Sequence, residues 1–287
     1  MSGGPVIRVR ILGCGSSGGV PRIDGDWGEC DPGEPKNRRS RCSILVERAE
    51  TESDLGGERV TRLLVDTSPD LRQQILDAGV TRLDAVAFTH DHADQSHGID
   101  DLRALVYRAG RQLPAWMNPF TDSALMARFG YIFQTPEGSG YPPLLERRVL
   151  AEGGGADIDG PGGRLRLQSF TVEHGRAPCS GFRFGPLVYT PDISAMPDAA
   201  FQAVDGASVW IVDALREKPH PTHAHLDAAL VWLERAAVRQ GILTNMHIDL
   251  DYRALLARCP QGVRPAYDRL SLVIAENTGD LLRIDPV

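Results

Sequence analysis

Apolar positions in this chain fall in short β-branched runs that end on polar residues, with amphipathic stretches between them. Val6 to Leu12 alternates in part and reads as a strand, halted by Gly13-Cys14-Gly15-Ser16-Ser17-Gly18-Gly19. From Val20 to Ser40, prolines and glycines break any period, and Lys36-Asn37-Arg38-Arg39-Ser40-Arg41 closes the stretch with a basic cluster. Cys42 to Val46 and Thr61 to Asp66 read as a strand pair joined by the polar loop 50–58. Ser68 as N-cap, Pro69 in the first turn, Leu71, Ile75 and Ala78 on one face and Gly79 as the stop predict a helix. The apolar run Leu83 to Phe88 then delivers Thr89-His90-Asp91-His92-Ala93-Asp94-Gln95.

The second half repeats this style. Leu102, Leu105, Val106 and Ala109 form a helical stripe ended by Gly110, whereas residues 130–163, rich in Gly, Pro and aromatics, fit no single period. Leu165 to Val172 alternates and ends at Glu173-His174, Leu187 to Thr190 ends at Pro191-Asp192, and Ser208 to Val212 ends at Asp213. Leu226, Ala229, Leu230, Leu233 and Ala237 mark an amphipathic helix, followed by the strand Gly241 to Thr244 and by Asn245-Met246-His247. Polar residues thus recur just past strand ends, the edge on which layered α/β proteins build their sites.

The glycine-rich loop after the first strand admits two readings. A phosphate cradle is one, but the spacing is not that of a P-loop and no Lys follows. A tight loop that passes close to another backbone is the other, and the favoured one.

Composition narrows the class. Hydrophobic residues make up 42% and charged residues 24% of 287, ordinary values for a globular chain. The net charge of -7 provides no general field for polyanions, so long nucleic acid is not an expected partner. Cys14, Cys30, Cys42, Cys179 and Cys259 are dispersed, without a C-x-x-C pair, and read as buried apolar residues of a reducing compartment. The N-terminus lacks a leader pattern and no apolar run is long enough for a membrane span, so the expected location is cytoplasmic.

His90-x-His92-x-Asp94, followed by His174, Asp192 and a His247 region, each after a strand, resembles the metallo-β-lactamase superfamily. Val9-x-Ile11-Leu12-Gly13-x-Gly15-Ser16-Ser17-Gly18-Gly19-Val20-Pro21, His97-Gly98-Ile99-Asp100-Asp101-Leu102-Arg103 and His220-Pro221-Thr222-His223 are similar to its phosphodiesterase branch. That branch includes the phosphoribosyl cyclic phosphodiesterase of phosphonate degradation and, more distantly, ribonuclease Z. The resemblance covers nearly the whole chain. It implies one domain over residues 1–287 with an α/β fold, a four-layer αβ/βα sandwich with a metal site at one edge of two facing sheets.

It also implies ligands. One divalent ion, manganese or zinc, falls to His90, His92 and His174, with Asp192 bridging to a second. The second set departs from the family: Asp94 remains, but Gln95 stands where the motif has His, and the Thr-His step reads Thr244-Asn245. Amide oxygens are harder donors than imidazoles, so a second ion, if bound, is expected to be a hard one such as manganese. His247 is either a substitute ligand or a substrate contact. Relatives with a structural zinc use a Cys cluster of which only Cys30 remains, and none is expected here.

The expected reaction is hydrolysis of a small phosphodiester, cyclic phosphate or nucleotide by metal-activated water. His223 matches the family's general acid, and Asp94 or Asp192 would orient the water. Asp213 is a candidate to hold an imidazole, and Arg38, Arg39, Arg41 and His220 are candidate substrate contacts. The unassigned stretch Arg111 to Tyr141 is the expected pocket wall, and relatives imply a homodimer. Two other readings remain: a tRNA 3′-end endonuclease, and a non-hydrolytic binding member of the fold, since two second-site imidazoles are absent.

Overall fold

The computed structural model describes residues 4–175 and 177–285; the first three residues of the stretch read for a leader lie outside them. The chain runs through β1 (Val6–Gly13), β2 (Ser43–Ala49), β3 (Thr61–Val65), α1 (Leu71–Ala78), β4 (Ala85–Ala87), the short α2 (Ala93–Ser96) and α3 (Arg103–Ala109). It continues with β5 (Leu113–Met117), α4 (Pro119–Phe133), β6 (Leu145–Val149), β7 (Gly155–Ile158), β8 (Leu165–His174) and β9 (Ala177–Phe184). Then come β10 (Leu187–Thr190), α5 (Asp198–Val204), β11 (Val209–Asp213), α6 (Leu226–Ala236) and β12 (Gln240–Thr244). The last elements are α7 (Tyr252–Arg258), β13 (Val263–Pro265), β14 (Ser271–Ala275) and β15 (Leu281–Asp285).

These strands form an eight-stranded sheet, β15-β14-β1-β2-β3-β4-β5-β6, and a seven-stranded sheet, β13-β12-β11-β10-β9-β8-β7. Each is antiparallel in one part and parallel in the other, the change falling at β3 in the first and β10 in the second. Ile7, Val9, Ile11, Ile44 and Val46 of the first sheet pack against Leu165, Leu167, Val172, Phe182 and Phe184 of the second in one buried core. The outer face of the first sheet is covered by α1, α3 and α4 through Leu45, Leu64, Val86, Val106 and Leu125. Ala229 and Leu233 of α6 and Leu255 of α7 join the core beside the second sheet. The architecture is therefore an α/β sandwich of helix, sheet, sheet and helix layers, as the resemblance implies.

The glycine loop is the tight-loop case. A Cβ on Gly13 would stand 2.1 Å from the Arg41 carbonyl oxygen, so the position is closed to any other residue. Gly15 bridges to both Arg41 and Met246, the Met246 N–H donates to the Cys14 carbonyl at 2.9 Å, and Ser16 N–H donates back to Met246 at 3.2 Å. The loop after β1 is thereby pinned beside the one after β12, across the two sheets. The helix predicted from Ser68 begins two residues later, with Asp70 at its N-cap and the Ser68 hydroxyl accepting from Asp70 N–H. Gly79 ends it at φ 63°, as the stop signal predicts. No helix is long and apolar enough to cross a membrane among the described residues.

Candidate metal centre

Five strand ends converge on one edge. His90, His92 and Asp94 follow β4, His174 ends β8, Asp192 follows β10, Asp213 ends β11 and Asn245 follows β12. The ligand atoms of His90, His92 and His174 all lie within 4.8 Å of one another, and those of His174, Asp192 and His223 form a second such group. Ring centroids in the first group are 4.6 to 5.1 Å apart. Asp94 belongs to neither group; it lines the adjoining cleft.

Hydrogen bonds fix which imidazole nitrogens face inward. Asp66, at the end of β3, accepts from the Thr89 N–H at 2.8 Å and from its hydroxyl at 2.9 Å. The Thr89 oxygen, having donated its proton, accepts from His90 Nδ1 at 3.0 Å. That leaves His90 Nε2 as a bare lone pair, buried and without a protein partner. His174 Nδ1 donates to the Thr222 carbonyl at 2.7 Å, so its Nε2 is bare as well, 3.2 Å from His92 Nδ1. Two bare nitrogens, His90 Nε2 without a partner and His174 Nε2 beside His92 Nδ1, thus face one another in a cluster whose donor set fits a divalent ion. Burial strengthens the case. It pushes His90 well below its ordinary range and His174 down to about 4, so both rings are neutral and ready to ligate at pH 7.

The carboxylates lie beside the triad. Burial, with the charges of Asp94 and Asp213, holds the Asp192 carboxyl well above its ordinary range. Asp192 Oδ2 accepts from Gln95 Nε2 at 3.1 Å and Oδ1 accepts from Asn245 Nδ2 at 3.3 Å. His223 Nδ1 donates to Asp213 Oδ2 at 2.9 Å, and burial raises the Asp213 carboxyl to about 6. Asp213 thus holds His223, while Thr222 orients the ligand imidazole of His174.

The cleft in front of these groups has a volume of about 200 Å³ and is lined by Ser16, Ser17, Asp94, Leu215, Arg216, His220, His223, Asn245 and His247. Among the described residues none of this lining comes from 111–141, which corrects the expected pocket wall. That stretch forms β5, α4 and a turn; its Arg128 pairs with Asp91 at 2.6 Å and its Phe129 ring packs on His97. His247 is absent from both ligand groups: its Nε2 faces Arg22 and its Nδ1 faces Asp249 at 3.1 Å. It stands in the cleft wall, as does His220, which accepts from Thr222.

The basic cluster sits elsewhere. Arg38, Arg39 and Arg41 line a separate, larger cavity of about 640 Å³, which contains none of the imidazoles. Arg39 is 2% exposed and donates to the carbonyls of Leu250 at 2.7 Å and His247 at 3.3 Å, so its guanidinium staples loops together and is closed to substrate. Arg41 is paired with Asp70 at 2.9 Å, and Arg38 stacks over Trp27. We place the chemistry at the smaller cleft because His223 of its lining groups with His174 and Asp192, ring to ring 4.7 Å from His174.

Asp66, Thr222, Arg22 and the two serines are site residues that motif reading misses. Asp66 carried a signal, being an acidic residue just past a strand end.

Residues 61–248 match the family model described as a beta-lactamase superfamily domain. The chain belongs to the metallo-β-lactamase superfamily. Within that superfamily it is 31% identical to a diphosphatase from the PhnP family, at a TM-score of 0.81, with 94% of this chain and 97% of that one covered. Zinc-bound PqqB from Methylobacterium extorquens shares the fold at 18% identity, a TM-score of 0.67 and coverage of 92% and 99%. Human tRNase Z, short form, does so at 15%, 0.59, and 92% and 98%. A curated Porphyromonas gingivalis protein named octanoyltransferase is 28% identical over 94% of this chain, which spans only 52% of that protein's length. Superfamily membership and the imidazole cluster place the chain among metal-dependent hydrolases.

Proposed function

We propose that this chain hydrolyses a phosphodiester or diphosphate bond in a small molecule. The observation that carries the reading is the pairing of the His90, His92 and His174 cluster with a carboxylate-held His223 whose ring centroid lies 4.7 Å from that of His174. Likeness to a PhnP-family diphosphatase supports phosphorus as the reacting centre. His90, His92 and His174 would hold a divalent ion, which would supply positive charge to a reacting phosphoryl group and lower the pKa of water.

The chain's own residues do the rest. Asp213 holds His223 by Nδ1, leaving Nε2 as the atom that passes a proton to the departing oxygen. Asp94, half-exposed on the cleft wall, accepts a proton from the incoming water. His220, His247, Ser16 and Ser17 contact the remainder of the substrate. A cleft of about 200 Å³ suits a small ester or anhydride, and the charge of -7 disfavours a folded RNA.

Acyl transfer, the name borne by the longer Porphyromonas relative, uses an activated thiol, hydroxyl or amine as nucleophile. No lysine lines this cleft among the described residues, and Cys42 is fully buried with its thiol pushed well up by burial. The test is a substrate panel with manganese- or zinc-loaded protein: bis(p-nitrophenyl) phosphate, a 2′,3′-cyclic nucleotide, a nucleotide diphosphate ester, precursor tRNA and an octanoyl thioester. Turnover of one of the first three, with the last two untouched, is the expected result. Cleavage of the tRNA or the thioester alone overturns the proposal.

A further inference from the structure

Asp192 is 1% exposed, and both of its oxygens are met by carboxamide N–H groups, Gln95 Nε2 on Oδ2 and Asn245 Nδ2 on Oδ1. These two amides stand at the positions where the resemblance implies imidazole ligands of a second ion. We propose that the centre holds one metal ion per chain, at the imidazole triad, and that Gln95 and Asn245 replace the second by donating hydrogen bonds to Asp192. This rests on the triad reading given above.

The amide of Asn245 cannot turn an oxygen toward an ion. Its Nδ2 faces two acceptors, Asp192 Oδ1 at 3.3 Å and Asp213 Oδ1 at 3.3 Å. Turned over, its oxygen would face two carboxyl groups in a buried setting, and both would lose their donor. Its own Oδ1 points to the Cys42 thiol at 3.9 Å. The N–H dipoles place partial positive charge where a second cation would stand, and they occupy the lone pairs by which Asp192 would bridge. A carboxylate has about four lone-pair sites, so Asp192 can still face an ion on the triad side.

Asp94, the remaining acidic ligand of the family's second set, lies outside both ligand groups. The competing arrangement is a second ion taken by Asp94 and by Gln95 Oε1, which is buried without a partner. That arrangement recruits only one of the two amides and leaves the Asn245 N–H beside the ion.

The full chain, stripped with a chelator and dialysed, is titrated with manganese(II). Binding is followed by calorimetry, elemental analysis and electron paramagnetic resonance. One equivalent is expected, with the spectrum of an isolated ion, lost in His90→Ala. Gln95→His combined with Asn245→His is expected to take up a second equivalent and show spin coupling between neighbouring ions. Two equivalents or a coupled pair in the native protein overturns the proposal, as does a single ion that survives His90→Ala. No uptake at all overturns the triad reading itself and the present inference with it. The native titration needs no variant, so it decides between one ion and two even where the double variant folds poorly.

Discussion

His174 and His223 stand edge to face with ring centroids 4.7 Å apart, one turned inward by the Thr222 carbonyl and the other held by Asp213. Residues 222 and 223 are adjacent, so one loop orients a ligand and presents the proton donor. Ligand and acid are set by the same few backbone atoms, and each can be perturbed separately.

His223→Gln is expected to lower kcat by about 10²–10⁴ while leaving metal content unchanged. The loss should be much smaller for a p-nitrophenyl leaving group, which departs without a proton, than for an alkyl one. Steady-state kinetics with paired substrates measures this, and equal losses on both would rule out the proton-donor role.

Arg39 and Arg38 separate structure from recognition. Arg39→Met strands the carbonyls of Leu250 and His247 at about 1–3 kcal/mol for each unmet group, so a drop in denaturant midpoint is expected. Arg38→Ala, on an exposed side chain, should leave stability within about 0.5 kcal/mol. A rise in KM for Arg38→Ala with no stability change in Arg39→Met would reverse the assignment.

Gly13→Ala forces a Cβ onto the Arg41 carbonyl, an overpacking worth about 1–3 kcal/mol. Because the same loop carries Ser16 and Ser17 into the cleft, KM is expected to rise together with the fall in Tm. Thermal melts beside kinetics test the coupling; an unchanged Tm contradicts it.

The apoprotein should show a specific acid response. An unfolded imidazole titrates near ~6.5, whereas burial holds His174 at about 4. Between these values the unfolded chain takes up a proton that the folded one refuses, so this histidine's contribution to stability is lost as pH falls from about 6.5 toward 4. Asp213, raised to about 6, works in the opposite direction, so the comparison is between native protein and His174→Asn. The stability difference between them should shift against the native chain from pH 7 to pH 5. A pH-independent difference contradicts the buried-neutral assignment.

Much of the fold was legible because buried strands are continuous apolar runs closed by turn residues. The same rule exposed His90, His92, His174, Asp192, Asp213 and Asn245, each placed at a strand end. β9 escaped because its centre is Cys179-Ser180-Gly181; the glycine is there to clear the Phe170 ring, which a Cβ would approach to 2.4 Å. α4 escaped because it is apolar on several faces and breaks regular geometry at Phe129, although Asn118 before Pro119 marked its start. Arg39 misled for a different reason. Charge at a loop reads as exposure, and only the three-dimensional accounting of carbonyl groups shows a guanidinium used as an internal staple.

Hydrolysis, as proposed, depends on the ion held by the imidazole triad. That dependence is tested by turnover of bis(p-nitrophenyl) phosphate and of a nucleotide diphosphate ester, using chelator-stripped protein reconstituted with manganese or zinc beside His90→Ala with matched circular dichroism. Native protein is expected to regain activity on adding metal, while the variant stays inert at the same metal concentration. Equal turnover by the two, or none from native protein with any divalent ion, would contradict the role given to the triad.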